Sequence, residues 1–239
     1  MTASPQALAV IPARGGSKRL PGKNTHPFHG KPALAWTIGA ALESRIFQQV
    51  VVSTDDPQIA TLAREHGAEV PFLRTPELAD DHTHVSLVTL DALQRLDPEG
   101  CRFGAVAQLM PNCPLRTAGD IRDSFRQFTE TGAGAQISVT SYGWLNPWWA
   151  LTRDATQRLA PLFAERHAQR SQDMPALFCP TGAVWWIQPE VLRREKTFHV
   201  ANRTGWTIPW RHAVDIDTIE DLEMAEFFYQ AKEPSPGIL

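Results

Sequence analysis

Apolar and polar residues along this chain fall into two alternating periods. Leu8 to Pro12 is apolar at consecutive positions, which is the pattern of a parallel strand covered on both faces. From Pro32 to about Ser44 the period becomes helical, with Leu34, Ile38, Ala41 and Leu42 recurring on one face. Pro32 suits the first position of that helix, where its missing N–H costs nothing. Gln49 to Ser53 (QVVVS) predicts a second strand, and Pro57 to His66 a second helix closed by Gly67. Ala68 to Leu73 predicts a third, short strand. Repetition of strand, turn and helix makes a βαβ unit and therefore a parallel sheet.

The same reading continues to the end. Helices are predicted over Ser86–Leu96, Ala118–Thr129, Glu190–Arg194 and Thr218–Gln230, the last with Ile219, Leu222, Ala225 and Phe228 on one face. Strands are predicted over Ala105–Leu109, which is apolar and central, then Ala135–Thr140, Ala183–Ile187 and Trp206–Trp210. Tyr142–Trp149 is rich in aromatic residues, and Arg153–Asp173 is polar and carries no clear period. No repeat, low-complexity segment or linker divides the chain. The expectation is one α/β domain over residues 1–239, with a divergent excursion near 142–187 and a frayed KEPSPGIL end.

Composition narrows the class. A hydrophobic content of 43% and a charged content of 21% suit a soluble protein with a sizeable core. The net charge of −3 argues against a nucleic-acid partner. Cys101, Cys113 and Cys179 lack metal-ligand spacing, and an odd, sparse count suits thiols in a reducing compartment. Met1–Leu8 has neither a basic nor an apolar leader region, and no apolar run reaches membrane-spanning length. A cytoplasmic protein with no membrane partner is expected.

Against that acidic background one stretch is dense in cations. AVIPARGGSKRLPGKN, Ala9 to Asn24, places Arg14, Lys18, Arg19 and Lys23 among Gly15, Gly16, Ser17 and Gly22. Glycines allow close backbone approach to a ligand, and successive N–H groups in such a turn make an anion-binding concavity. Arg and Lys add charges that suit phosphate oxygens. The spacing matches neither G-x-x-x-x-G-K-[ST] nor G-x-G-x-x-G, so the turn implies a polyphosphate, hence a nucleotide, without naming which. A surface loop of solvated charge is the competing reading.

In an open α/β sheet, ligands bind beyond the carboxyl ends of the strands. Four segments converge there: the glycine turn, Thr54-Asp55-Asp56, the Met110–Arg116 loop and the Val214–Asp217 strand end. Asp215 and Asp217 in VDIDT lie two apart, on one face of extended backbone. Adjacent carboxylates repel unless a cation sits between them, and Mg²⁺ takes one or two carboxylates plus substrate phosphates. The alternative is that Asp217 caps the last helix, since Asp217-Thr218-Ile219-Glu220 resembles a capping box. Asp55 or Asp56 similarly either shapes the site or caps the Pro57 helix. Cys113, between two prolines and without a His partner, reads as a small loop thiol. The tryptophans crowded into the second half read as core or interface.

AVIPARGGSKRLPGKN strongly resembles the opening motif of the acylneuraminate cytidylyltransferases, the CMP-sialic acid synthetases and their pseudaminic and legionaminic relatives. CMP-Kdo synthetases usually open on a shorter, less cationic version. VSTDDPQIA, FLRTPELADDHT, LMPNCPLR, RSQDMPALFCPTGAVWWI and VDIDTIEDLEMAE resemble the family's later segments, so the likeness covers most of the chain. It implies a three-layer, Rossmann-like nucleotide-diphospho-sugar transferase fold with a mostly parallel sheet and a small dimerisation excursion. It implies cytidylyl transfer from CTP to a nonulosonic, sialic acid-like acid sugar, with Mg²⁺ and a homodimer whose protrusions exchange.

Carried over position by position, the resemblance gives catalytic roles to Arg14, Lys23, Asp215 and Asp217, the last two as metal ligands. Ala13, Arg14, Gly15, Gly16, Ser17, Lys23, Asn24, Arg74 and Asp81 would bind the nucleotide. Met110, Asn112, Arg170, Gln172 and Thr181 would meet the acid sugar, although Arg170 also reads as a plain surface charge. Met110 stands where the family has Gln, Asn112 and Cys113 replace Thr and Ser, and Thr181 replaces Asn. Those departures leave open a Kdo-like or pseudaminic-like acceptor, or a nucleotide-binding homologue without turnover.

Overall fold

The computed structural model describes residues 6–17, 19–80, 83–143, 145–167 and 169–231. In chain order the regular elements begin with β1 (Ala7–Pro12), β2 (Pro27–Phe28), β3 (Lys31–Pro32), α1 (Ala33–Ser44), β4 (Phe47–Ser53) and α2 (Pro57–Glu65). Next come α3 (Val85–Leu96), β5 (Ala105–Gln108), α4 (Ala118–Thr131), β6 (Ala135–Ser141), β7 (Leu151–Arg153) and β8 (Leu159–Pro161). The chain closes with β9 (Phe178–Ile187), α5 (Pro189–Glu195), β10 (Arg203–Thr207) and α6 (Ile219–Gln230).

Six strands form one sheet in the order β10-β6-β9-β5-β1-β4. All neighbours are parallel except β9, which runs antiparallel between β5 and β6. Every residue of β1 is buried, and its side chains alternate between two apolar layers. Ala7, Ala9 and Ile11 pack with α1, α2 and α4, whereas Leu8 and Val10 pack with α3 and α5. Helices cover both faces, so the unbroken apolar run is what the architecture needs. Trp186 of β9 is fully buried, stacked near Phe47 and Phe128, with its indole N–H donating to Ser124 Oγ at 2.9 Å. A third apolar cluster joins Phe28 and Leu115 to Val214, Ile216 and Leu222, seating α6 beside the carboxyl end of the sheet.

Four sequence expectations need correction. Ala68–Leu73 is no strand: it makes a single bridge, Val51 to Glu69, and Pro71 has no N–H to continue a ladder. The last strand is Arg203–Thr207 instead of Trp206–Trp210, because Pro209 ends pairing and Trp210–His212 turns into a 3-10 helix. Strand β9 starts five residues earlier than expected, at Phe178, and adds an antiparallel member to the sheet. Val214–Asp217 is extended but unpaired with the sheet. Its backbone instead meets the Met110–Arg116 loop, Ile216 N–H donating to Asn112 O at 2.9 Å.

The stretch 153–173, left unassigned from sequence, contains the second strand of a β7–β8 hairpin whose six residues are all exposed. No helix among the described residues is long and apolar enough to cross a membrane.

Candidate active site

The glycine turn continues β1 directly. Ala13 is buried and its N–H donates to Ser53 O at 2.9 Å. A Cβ on Gly15 would lie 2.7 Å from Asp56 Oδ2, so only glycine fits there without displacing the acid. The two neighbouring acids divide the roles that sequence left open. Asp56 caps α2, accepting from Gln58 N–H at 2.7 Å and Ile59 N–H at 3.3 Å. Asp55 ties down the turn by accepting from Gly15 N–H at 3.1 Å. A Cβ on Gly16 would meet nothing within 4 Å, which leaves room for a ligand against that backbone.

Asn24 is buried, and its Nδ2 donates to Arg14 O at 2.9 Å. Its Oδ1 is buried without a protein partner. Arg14 reaches across to donate to Asp80 O at 3.1 Å. The Arg74 guanidinium is buried and donates to Ser53 O and Oγ. Burial lowers its pKa, with Asp55 opposing that shift. Arg14, Lys23 and Asn24 line both a cavity of about 230 Å³, which also meets Arg74 and Met110, and one of about 180 Å³, which also meets Gly15 and Ser17. Of the nucleotide residues of the sequence reading, Arg14, Gly15, Ser17, Lys23, Asn24 and Arg74 thus come together, while Ala13 and Gly16 line neither cavity. Asp81 and Lys18 lie outside the described residues.

The carboxylate pair closes the other side. Lys23 Nζ sits 2.7 Å from Asp217 Oδ1, and Arg19 Nη2 sits 2.6 Å from Asp217 Oδ2. The amide of Asn112 donates to Asp215 Oδ1, to Ile216 O at 3.0 Å and to Asp217 Oδ1 at 3.5 Å. The Asp215 carboxyl is pushed up to about 6, first by burial and then by Asp217, while Lys23 and Arg19 oppose the rise. The capping box expected at Asp217–Glu220 is shifted by one residue. Thr218 is the N-cap and Asp221 its reciprocal partner, so the Asp217 carboxylate is left for the cations. Among the described residues no group of three or more His, Cys, Asp or Glu is gathered as a metal cage.

Met110 lies where three elements meet. Its N–H donates to Gly182 O at 3.1 Å, and its carbonyl accepts from Thr37 Oγ1 at 3.4 Å and Arg116 Nη1 at 3.4 Å. Buried Arg116 also donates to Ala183 O. Strand β9 skips residues against β6 here, Ile137 pairing Trp185 but Val139 pairing Pro180. Ser138 Oγ stitches the slack, bonding to Thr181 O and accepting from Val184 N–H at 3.0 Å. Irregularities of this kind re-aim backbone beside functional sites. This one brings Gly182 so close that an added Cβ would lie 2.8 Å from Met110 Cγ and 3.3 Å from Asp215 Oδ2.

The remaining acceptor-side residues are placed differently. Thr181 is buried and its hydroxyl faces Ser138 Oγ at 2.7 Å. The Arg170 side chain is 73% exposed and pairs with Asp173. Gln172 lines a separate cavity of about 480 Å³ with Tyr142 and Phe178. Burial drives the Cys113 thiol well upward, as expected of an inert loop thiol. Sequence reading named Arg19 among the cations of the turn but not its pairing with Asp217, and it missed the roles of Arg116 and Gly182 and the Asn112–carboxylate contacts. Arg116 and Asn112 stand in the motif already singled out, but nothing in their spacing reveals partners 67 and 103 residues away.

Comparison with known proteins follows the same outline. A family model described as cytidylyltransferase matches residues 8–141. Pseudaminic acid cytidylyltransferase of Campylobacter jejuni is 31% identical, over 95% of this chain and 98% of that protein. CMP-N,N'-diacetyllegionaminic acid synthase of Legionella pneumophila is 34% identical, over 92% and 94% respectively. A solved CMP:2-keto-3-deoxy-manno-octonic acid synthetase in complex with CTP superposes with a TM-score of 0.71 at 16% identity, covering 95% of this chain and 100% of that one. That likeness speaks for the fold. The matched span of 8–141 holds the glycine turn, Asp55, Arg74 and Met110–Arg116, and with the full-length relatives it establishes that the chain belongs to the cytidylyltransferase family.

Proposed function

We propose that the chain transfers a cytidylyl group from CTP to the anomeric hydroxyl of a nonulosonic acid. The anomeric oxygen attacks the α-phosphorus, the bond to the β-phosphate bridging oxygen breaks, and that electron pair leaves with pyrophosphate. The hydroxyl proton passes to solvent. The observation that carries this reading is the 2.7 Å contact between Lys23 and Asp217, 194 residues apart. It makes the phosphate-type turn and the carboxylate pair one site.

Transfer at phosphorus needs mainly positioning and charge neutralisation. Arg14, Ser17, Lys23 and the Gly15–Gly16 backbone surround the space for the triphosphate, and Asn24 and Arg74 border the nucleoside end. Asp215 and Asp217 fit a divalent cation such as Mg²⁺. They are two hard oxygen donors from residues two apart, and the Asn112 amide faces both. When bound, such an ion offsets charge on phosphate oxygens and the leaving group. Lys23, paired with Asp217, also lines the cavity of Gly15 and Ser17, where its ammonium would meet phosphate oxygens.

For the acceptor, the sialic acid-like reading and its alternative diverge. Relatives named for pseudaminic and diacetyllegionaminic acids favour the pseudaminic–legionaminic class, and Met110 supports an acceptor that asks for no side-chain amide there. We assign Arg170, Gln172 and Thr181 to the acceptor end, the whole of 1–239 to one catalytic unit, and the apolar excursion to a homodimer contact. Use of a nucleoside triphosphate fits a cytoplasmic enzyme. The test is pyrophosphate release from CTP with a panel of N-acetylneuraminic, legionaminic, pseudaminic and Kdo acids, the product weighed by mass spectrometry. Release with one acid that disappears in Asp217→Ala is expected. Silence on every acid, or release that survives the substitution, overturns the reading.

A further inference from the structure

We infer that Asn112 is a positioning residue for the carboxylate pair, its amide N–H groups holding Asp215 and Asp217 in register for one divalent cation instead of donating to the acceptor. The inference rests on the cytidylyl-transfer reading. It departs from the acceptor contact that sequence suggested for this position.

Asn112 is only 1% exposed. Its two amide hydrogens face three acceptors on the same stretch: Asp215 Oδ1, Ile216 O at 3.0 Å and Asp217 Oδ1 at 3.5 Å. Its own backbone carbonyl accepts from Ile216 N–H at 2.9 Å. One residue thus grips the 215–217 segment by side chain and main chain together. Donors aimed at ionised acceptors make the stronger class of hydrogen bond, and they partly offset repulsion between the two acids.

The other side of the amide fixes its orientation. Asn112 Oδ1 is buried with no partner. Turning the amide over would set that oxygen against the carboxylates and the Ile216 carbonyl, three acceptors facing a fourth. In the observed orientation the N–H groups face this segment and none is left to donate to a sugar. The support behind Asn112 is firm as well, because Thr37 Oγ1 donates to Pro111 O at 3.2 Å and Arg116 N–H to Cys113 O at 3.4 Å. Groups that orient metal-binding carboxylates without touching the ion alter its affinity strongly when removed.

The experiment is a Mn²⁺ titration followed by electron paramagnetic resonance, on the full chain without CTP or acceptor, for wild type, Asn112→Ala and Asn112→Ser. Steady-state KM values for the acceptor are measured beside it. Asn112→Ala should weaken Mn²⁺ binding by about 10-fold or more and leave the acceptor KM within about twofold. Asn112→Ser keeps one donor and should fall between, and it carries the test should the alanine variant not fold. Unchanged Mn²⁺ affinity with a raised acceptor KM returns Asn112 to the sugar and overturns the inference, as does a wild type that binds no Mn²⁺. Failure of the underlying activity is seen separately, as absence of pyrophosphate from the wild type on every acid.

Discussion

The carboxyl end of the sheet and the excursion beyond β6 solve opposite problems. At the sheet end, polar groups are tied to one another across long sequence distances: Gly15 to Asp55, Lys23 to Asp217, Asn112 to Asp215. In the excursion, apolar groups are left to solvent, Leu145 and Leu159 each 61% exposed and Leu162 56%. Among the described residues its base is held by Trp148 Nε1 donating to Pro175 O at 2.9 Å, by ring contact with Phe163 and by Trp149 Nε1 donating to Gln169 O at 3.4 Å. Exposed apolar side chains gathered in one arm mark a contact with something else. The first region owes its geometry to the buried sheet beneath it. The second has no such support, so damage to one should leave different traces from damage to the other.

The widest separation comes from the scaffold itself. Trp186→Ala empties the site between Phe47, Phe125 and Phe128 and leaves Ser124 Oγ without its indole donor. A loss of about 3–5 kcal/mol is expected for a buried aromatic, read as a lowered thermal midpoint. Asp217→Ala should do the reverse. It removes an acid that is 23% exposed and lies beside the like charge of Asp215, so the midpoint should move little, yet turnover should fall by about 10²–10³-fold, the scale of losing one charge-stabilising group. A large stability loss in that variant would place Asp217 in the scaffold.

Asp215→Asn sharpens the sheet end further, because there stability and function pull apart. The Asp215 carboxyl is raised from 3.8 to about 6, so the folded protein holds this proton more tightly than the unfolded chain. The wild type, free of metal, therefore loses stability as pH rises from about 4 to 6, and stays level above that. The shift corresponds to at most about 3 kcal/mol. In EDTA at pH 7.5 the asparagine variant should melt higher than the wild type, with the gap closing near pH 4, while its pyrophosphate release falls. A gap that persists at pH 4 would remove charge burial as its cause.

How much of this was legible in sequence follows the same divide. Strand β1 and the helices of the first half were readable because burial on both faces writes an unbroken apolar run, and one-sided burial a helical period. The glycine turn was readable because its chemistry is local. Asp215 and Asp217 were readable as a pair by spacing, even though their segment is not the strand expected. Asn112 and Arg116 were not, since their meaning lies in contacts 103 and 67 residues away. The β7–β8 hairpin escaped because strands of three exposed residues leave no alternation. The early start of β9 escaped because Cys179 and Pro180 do not read as strand.

The smallest effect on the fold is expected in the arm. Leu159→Glu alters a side chain that is 61% exposed, in a hairpin that pairs only with itself. Substitutions at such positions usually stay within about 0.5 kcal/mol, so the unfolding midpoint of a dilute sample should hold. On the homodimer contact proposed above, sedimentation should nevertheless shift from dimer to monomer, because a carboxylate placed in an apolar contact must be desolvated without a partner. A dimer that survives would move the interface elsewhere, and the apolar cleft of Trp210, Phe227 and Phe228 is the next surface to change. A midpoint that drops sharply at dilutions where the wild type is already monomeric would mean something stronger. The arm would then be part of the fold's own support, and the contrast between the two regions would be one of degree.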